Sequence, residues 1–347
     1  MASIERTAYP RFKRYYTQAQ LQKTYTPTST EIAFARDHTQ GDKNFFNLIV
    51  LLKSFQRLGY FPNLNQIPQD IINYLRDYLK LPEELNVGYD QSRTLYRHKK
   101  EIRAYFQVTA FDKQARHLIS EAVSSSAEVM DNPADLINVA IEMLVKDRYE
   151  LPGFNSLNRL VCRLRTRVNH LLFSQVTQQL NSEYLSHLDR LLENHPVHQR
   201  SLYNDLKKLP KKSTRNHLND LLVHLTWLES LGEISPYLEK INSSKIEHWA
   251  AEAKSLDASE IKKITQPKRA TLLLCLIYTN GVNTRDYLVT MFLKQMKKIH
   301  NKAKEKLELI RQQLQERVEA VVGVFANVLP FFADESPEAQ WSQVKQI

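Results

Sequence analysis

The sequence predicts an all-α protein: tandem small helical bundles with helix-turn-helix units, followed by a helical region and one long C-terminal helix. Three observations carry this. Glycine is scarce, 7 in 347 residues, while 42% of residues are hydrophobic, a composition that suits packed helices better than a sandwich or barrel. Apolar residues recur every three or four positions in one segment after another. Capping and breaking residues such as Ser, Asp, Gly and Pro stand where those periods stop and start. A chain of this length can hold two or three cores. The division expected is an arm over 1–29, a first helical domain over 30–110, a second, helix-turn-helix domain over 111–178, a helical linker or scaffold over 179–282, a long helix over 283–330 and a tail over 331–347.

In the arm, Arg6, Arg11, Lys13, Arg14 and Lys23 interleave with Tyr9, Phe12, Tyr15, Tyr16 and Tyr25, and no acid falls between Glu5 and Glu31. Such a mixture can lie along phosphates and wedge or stack. A leader whose tyrosines pack on the first domain fits the same residues. A helix capped by Ser29 or Thr30 is expected next, to about His38. The following one, 44–58, presents Phe45, Leu48, Ile49, Leu51, Leu52 and Phe55 inward and ends at Gly59. Pro68 opens a helix to Leu79 with Asp70 near its positive end. Ser92 is placed to cap a helix over 93–106, where Arg93, Arg97, Lys100 and Arg103 contrast with an apolar side of Leu95, Tyr96, Ile102 and Phe106.

A helix over 112–130 leads through Asp131-Asn132-Pro133 into a pair of amphipathic segments. The first, 135–148, has Leu136, Val139, Ala140, Met143 and Leu144 on its apolar side. After the Pro152-Gly153 turn, with Asn155 or Ser156 as cap, the second carries an apolar stripe of Leu157, Leu160, Val161, Leu164, Val168, Leu171 and Leu172. Arg159, Arg163 and Arg167, four apart, form a second face with Arg165 on its flank, and no acid occurs between Glu150 and Glu183. Helix, turn, then a helix with a basic outer face is the sequence form of a helix-turn-helix, although a solvated face on a core helix gives the same pattern.

Beyond 178 the reading is plainer. Residues 181–193 are helical. His195 and His198 are of metal-ligand type, but the Pro between them and the absence of a nearby Cys or acid cluster read as a loop. Residues 207–215 are a basic loop. Helices are expected over 218–231, stopped by Gly232, over 246–255 and 257–265, and over 270–278, a buried helix ended by Asn280-Gly281. From Asn283 to about Leu329 the pattern is one helix of about 65–70 Å at 1.5 Å per residue. Ile299, Ala303, Leu307, Ile310, Leu314, Val318, Val321 and Phe325 form its stripe, and lysines crowd its first half. It reads as an inter-domain strut or, second, as a homodimeric coiled coil.

The net charge of +10 points to a polyanionic partner and does not by itself separate nucleic acid from a membrane surface. Cys162 and Cys275 lie in apolar helical patterns and are expected to be buried reduced thiols. The longest apolar run, 272–278, is too short to span a bilayer and the N-terminus lacks a signal-peptide core, so a cytoplasmic protein with no membrane partner is expected. No phosphate-cradling loop, nucleophile elbow or metal set is found, so no catalytic residue, cofactor, metal or small-molecule substrate is expected.

In order along the chain, Phe34-Ala35-Arg36-Asp37, FFNLIVLLKSFQRLGYFP (45–62), YRHKKEIRAYFQV (96–108), LPGFNSLNRLV (151–161), LNDLLVHLTWLESLG (218–232) and QPKRATLLLCLIY (266–278) resemble the N-terminal region of the Tn-three family of replicative transposases. The resemblance covers roughly 30–320. It implies tandem helix-turn-helix domains that bind the terminal inverted repeats of a transposon on double-stranded DNA. The segments that match are the helices around Arg93–Phe106 and Ser156–Phe173, and the setting is the bacterial nucleoid. Arg11, Lys13 and Arg14 of the arm join Arg93, Arg97, Lys100, Arg103, Arg159, Arg163, Arg165 and Arg167 as expected DNA contacts. Family members are far longer, and their Asp-Asp-Glu triad, holding two divalent metals, lies beyond this length. The chain therefore resembles the non-catalytic N-terminal part, with a second copy or a full-length transposase as a further partner.

Overall fold

A computed structural model describes residues 3–193, 201–207 and 215–329. The loop expected at His195–His198, most of the basic loop at 207–215 and the tail beyond 330 lie outside the described residues. Among those described, fifteen α-helices and two 3-10 turns account for the regular structure, and an isolated bridge between Thr109 and Tyr149 takes the place of any sheet. The chain is all-α, with a long helix at its C-terminal end. In order the helices are α1 (Gln18–Tyr25), α2 (Ser29–Asp37), α3 (Asp42–Leu58), α4 (Gln69–Tyr78), α5 (Ser92–Phe106), α6 (Lys113–Ala127), α7 (Pro133–Lys146) and α8 (Phe154–Gln178). There follow α9 (Ser182–Arg190), α10 (Leu202–Leu206), α11 (Arg215–Ser230), α12 (Ser235–Leu238), α13 (Ser243–Ser255), α14 (Ala258–Lys263) and α15 (Gln266–Val328).

Two compact units form. The first takes the described residues up to Lys207 together with Ile234–Thr279; the second takes those of Lys208–Glu233 and from Asn280 onward. In the first unit one core is built around α3, which is buried nearly all round: Phe45, Phe46, Leu48, Ile49, Val50, Leu51, Leu52 and Phe55 all lie inside. The expected inward set is borne out, and the neighbouring positions are covered by α2, α4 and α5 as well. Gly59 ends α3 in the left-handed conformation, at φ 69°, where a glycine carries no Cβ penalty. A buried ion pair crosses this core: Lys53 Nζ donates to Glu31 Oε2 at 3.2 Å, and Glu31 also closes a capping box with Thr28 at the start of α2. A second core joins α6, α7 and α8 through Ile119, Val123, Leu136, Ile137, Ala140, Leu144, Leu157 and Val161.

A third group of contacts in this unit runs from the end of α8 to the start of α15. Phe173 meets Trp249 at 4.8 Å, Tyr203 donates to the carbonyls of Ala253 and Leu256, and Arg269 forks onto the Asp189 carboxylate at 2.8 and 3.0 Å. Leu272–Ile277 are buried, as expected. Cys275 is buried, and burial pushes its thiol pKa up; Cys162 is only partly buried, its Sγ donating to Asn158 Oδ1. The expectation of a buried thiol holds for one of the two.

Several local expectations are corrected. Thr28, not Ser29 or Thr30, caps α2, because its hydroxyl alone is placed to accept from the third amide while Glu31 returns the bond. Helix α8 begins at Phe154 behind Gly153, with no side-chain cap from Asn155 or Ser156, which already lie inside the helix. Ser92 is the first residue of α5 rather than its cap. The largest correction concerns Asn280-Gly281. The chain does not stop there: α15 is one helix of 63 residues that runs through the pair. Gly281 keeps a helical backbone, and the apolar stretch before it and the Lys/Glu-rich stretch after it outweigh the roughly 1 kcal/mol cost of one interior glycine.

In the second unit α11 buries Leu221 and Leu228, and the turn after it buries Leu231; on α15 Thr284 is buried. His217 faces Tyr287 with ring centroids 6.1 Å apart, and Arg285 pairs with Glu229 at 3.2 Å. Farther along α15 the stripe of Ile299, Leu307, Ile310, Leu314, Val318, Val321 and Phe325 is exposed.

Candidate nucleic-acid interface

Helix α8 has the outer face expected of it. Arg159, Arg163 and Arg167 are exposed at successive turns, flanked by exposed Asn155, Ser156, Thr166 and His170, with no carboxylate among them. Arg165 is different. Its guanidinium turns inward, donating to the Asp131 carbonyl at 3.2 Å and standing 3.7 Å from the Asp131 carboxylate. The reason is a buried polar cluster that the sequence reading missed. Asp131 Oδ1 accepts from Asn169 at 2.6 Å and from Lys245 Nζ at 3.1 Å, Lys245 also donates to Asn169 Oδ1, and His248 lies 3.3 Å from Oδ2. Lys245 is 0% exposed and sits 4.9 Å from the Trp249 ring centroid. Burial holds its ammonium below the ordinary lysine pKa while Asp131 pulls the other way. Arg165 and Asn169, four apart on the inner side of α8, are thus fastened to the α6–α7 loop and to α13. That anchorage fixes the rotation of α8 and keeps the three outer arginines outward.

Helix α5 presents Arg93, Arg97 and Lys100 to solvent. Tyr96, expected on the apolar side, joins them at 73% exposed. The inward positions are instead Leu95, His98 and Ile102, at three-and-four spacing, which leaves position 96 on the outer arc. His98 is fully buried and shares a 2.6 Å hydrogen bond with the Tyr89 hydroxyl; burial, and next the charge of Arg97, lower its pKa to about 4. Leu171 of α8 is likewise corrected, from the apolar stripe to 57% exposed. Arg103 is not on the free face. Its Nε donates to Glu150 Oε2 at 2.7 Å, and its guanidinium lies 5.3 Å from the Phe61 ring.

That contact belongs to a joint between the two bundles. Thr109, just after α5, accepts from the Glu150 amide and donates to the Arg148 carbonyl, both at 2.8 Å, in a parallel bridge with Tyr149. The Leu151 amide donates to the Gly59 carbonyl at 2.9 Å, and Leu151 Cδ1 lies 3.4 Å from where a Cβ on Gly59 would be. Tyr9 of the arm is buried there, its hydroxyl donating to the Pro152 carbonyl at 2.8 Å and its ring meeting Tyr60 and Phe154. Four of the segments singled out by sequence, around residues 9, 59–61, 103–109 and 149–154, therefore meet in one place.

The arm packs on the cores as a leader would, with its basic residues left on the surface. Tyr9, Phe12, Tyr16 and Tyr25 pack on the cores, while Tyr15, Arg11, Lys13 and Arg14 are exposed. Arg11 pairs on the surface with Glu5 at 3.3 Å. Among the described residues no group of three or more His, Cys, Asp or Glu side chains gathers in a way that could hold a metal ion, and no helix is long and apolar enough to cross a membrane.

Residues 1–164 match a protein family described as a domain of unknown function, DUF4158. Over 328 residues the chain is 22% identical to the transposase for transposon Tn2501 of Escherichia coli, covering 91% of this chain and 32% of that protein. It is 18% identical over 309 residues to the transposase for transposon Tn1546 of Enterococcus faecium, covering 88% and 31%. A third similar protein is the transposase for transposon gamma-delta of Escherichia coli K12, 20% identical over 318 residues, covering 87% and 31%. The chain spans about a third of the length of the curated relatives it matches.

Proposed function

We propose that this chain, a homologue of the Tn-three family transposases with a DUF4158 domain in its first half, is a DNA-binding part of a transposase that recognises transposon terminal inverted repeats. The observation that carries the reading is the outer face of α8, whose three exposed arginines stand four residues apart with no acid beside them while a buried cluster holds the helix from behind. In the reading, Arg159, Arg163 and Arg167 enter a major groove, where a guanidinium meets the two acceptors of guanine. Arg93, Arg97 and Lys100 of α5, with Arg11, Lys13 and Arg14 of the arm, grip phosphates and set the register. Arg103 and Arg165 position these faces rather than touch DNA. Residues 30–110 and 111–178 act as the two binding regions. The strand-transfer chemistry belongs to residues outside this chain, which acts without catalysis, cofactor or metal.

The test is a fluorescence-anisotropy titration of the protein against the inverted repeat flanking its own gene, beside a scrambled duplex and a salt series. A preference for the repeat of about a thousandfold or more is expected. Arg159→Ala and Arg163→Ala should each weaken repeat binding by about 1–3 kcal/mol and relax specificity. Equal affinity for both duplexes would sink the recognition reading.

A second reading, a module that self-associates or pairs with a full-length transposase, draws on the exposed stripe of α15. Sedimentation of the protein with and without residues 283–329 tests it, since that deletion should abolish association and spare the preference for the inverted repeat over a scrambled duplex.

A further inference from the structure

Acid-free basic stretches occur at residues 6–30 and 151–182, and a third lies in the second unit. Residues 287–304 of α15 hold Lys294, Lys297, Lys298, Lys302 and Lys304 and no Asp or Glu, so eighteen residues carry half of the chain's net +10. All five lysines are exposed, and among the described residues none has an ion-pair partner, whereas Arg285 and Arg311, on either side of the stretch, are both paired. At 100° per residue the lysines occupy one broad arc. Met296, Ile299, Leu307 and Ile310 lie at its opposite pole. Whatever covers the apolar stripe leaves the lysines facing outward.

We infer that this lysine arc is a further DNA contact, one that grips duplex phosphates without reading bases. It rests on the DNA-binding reading above and extends it to a surface outside both basic helices. Lysine is a compact point charge on a flexible stem, suited to phosphates and indifferent to sequence, unlike the bidentate arginines of α8. From Lys294 to Lys304 the helix rises about 15 Å, against one phosphate per about 1.7 Å of duplex axis, so several lysines can each find a phosphate. A membrane surface fits less well. Insertion of the apolar stripe into a bilayer would aim the centre of the lysine arc at water, away from the headgroups.

The test compares the full chain with the triple variant Lys294→Gln/Lys298→Gln/Lys302→Gln, a change that keeps helix propensity. Binding is measured to the inverted-repeat duplex and to a scrambled duplex between 50 and 200 mM salt. If three phosphate contacts are lost, the log–log slope falls by about 2.7, so over that range the wild type loses about 40-fold more affinity than the variant. The change should be the same on both duplexes, and the Lys→Arg triple should restore the slope. An unchanged slope on both overturns the inference even if the repeat is strongly preferred. A reduced slope with no preference for the repeat would keep the lysine contact and sink the recognition reading. If the Gln triple instead loses binding to phosphatidylserine vesicles and keeps its DNA slope, the arc is a membrane surface and the inference falls.

Discussion

Lowering the pH should unfold this protein partly through one buried histidine. His98 lies on the inner side of α5 with its Nδ1 on the Tyr89 hydroxyl, and its folded pKa is about 4 against an ordinary 6.5. Below 6.5 the unfolded chain takes up a proton that the folded chain refuses until about 4. The stability His98 contributes is thus complete above pH 6.5 and lost as pH falls from there through 4. The full shift corresponds to about 3.4 kcal/mol, of which about 2.5 kcal/mol is gone by pH 4.5. Protonation would force α5 to expose His98 or lose its packing, and the basic face of Arg93, Arg97 and Lys100 would go with it. The assay is urea unfolding of the wild type and His98→Gln at pH 7.0 and 4.5. Carboxylates titrate alike in both proteins and cancel. The wild type should lose about 2.5 kcal/mol more than the variant on acidification, and the His98 imidazole resonance should titrate near pH 4. A stability gap that is the same at both pH values would refute the reasoning.

Three other changes have expected outcomes. Asp131→Asn leaves the fully buried Lys245 ammonium without a carboxylate and should cost about 3–5 kcal/mol, lowering the melting temperature; Lys245→Met in that background should restore part of it. Gly59→Ala places a side chain at φ 69° against Leu151 and should cost about 1–2 kcal/mol by chemical denaturation. Lys80→Gly and Gln107→Gly relieve residues held at φ 53° where α4 and α5 end, and each should add about 0.5–1 kcal/mol in the same assay.

Helical periods were legible because they are local: the inward set of α3 and the stop at Gly59 follow from residues within a few positions of one another. Faces were legible less far. Tyr96 and Leu171 are apolar enough to be placed inside by type, yet the neighbouring turns already fill the core, and both remain outside. The Asn280-Gly281 pair looked like a stop because its dipeptide is a turn former, and the flanking helix overrode it. What the sequence could not disclose was the inward use of basic residues. Arg103 meets Glu150 across 47 positions, and Lys245 meets Asp131 across 114, with nothing local to mark either pairing. The same is true of Tyr9, whose role depends on a carbonyl at Pro152.

If α5 and α8 bind DNA as proposed, the joint at Gly59, Thr109 and Leu151 has a consequence for how that DNA would be measured. Two binding helices on a flexible tether tolerate variable gaps between their targets. Two helices whose supports are hydrogen-bonded residue to residue, as α5 and α8 are through 103–109 and 149–152, act as a caliper set to one gap. Each base pair inserted between the two blocks shifts the second by about 3.4 Å and turns it by about 35° around the duplex axis. A caliper cannot follow that rotation. The inverted repeat would then be defined by the phase between its two blocks as much as by the letters within them, and a single inserted base pair would be as damaging as a substitution in either block.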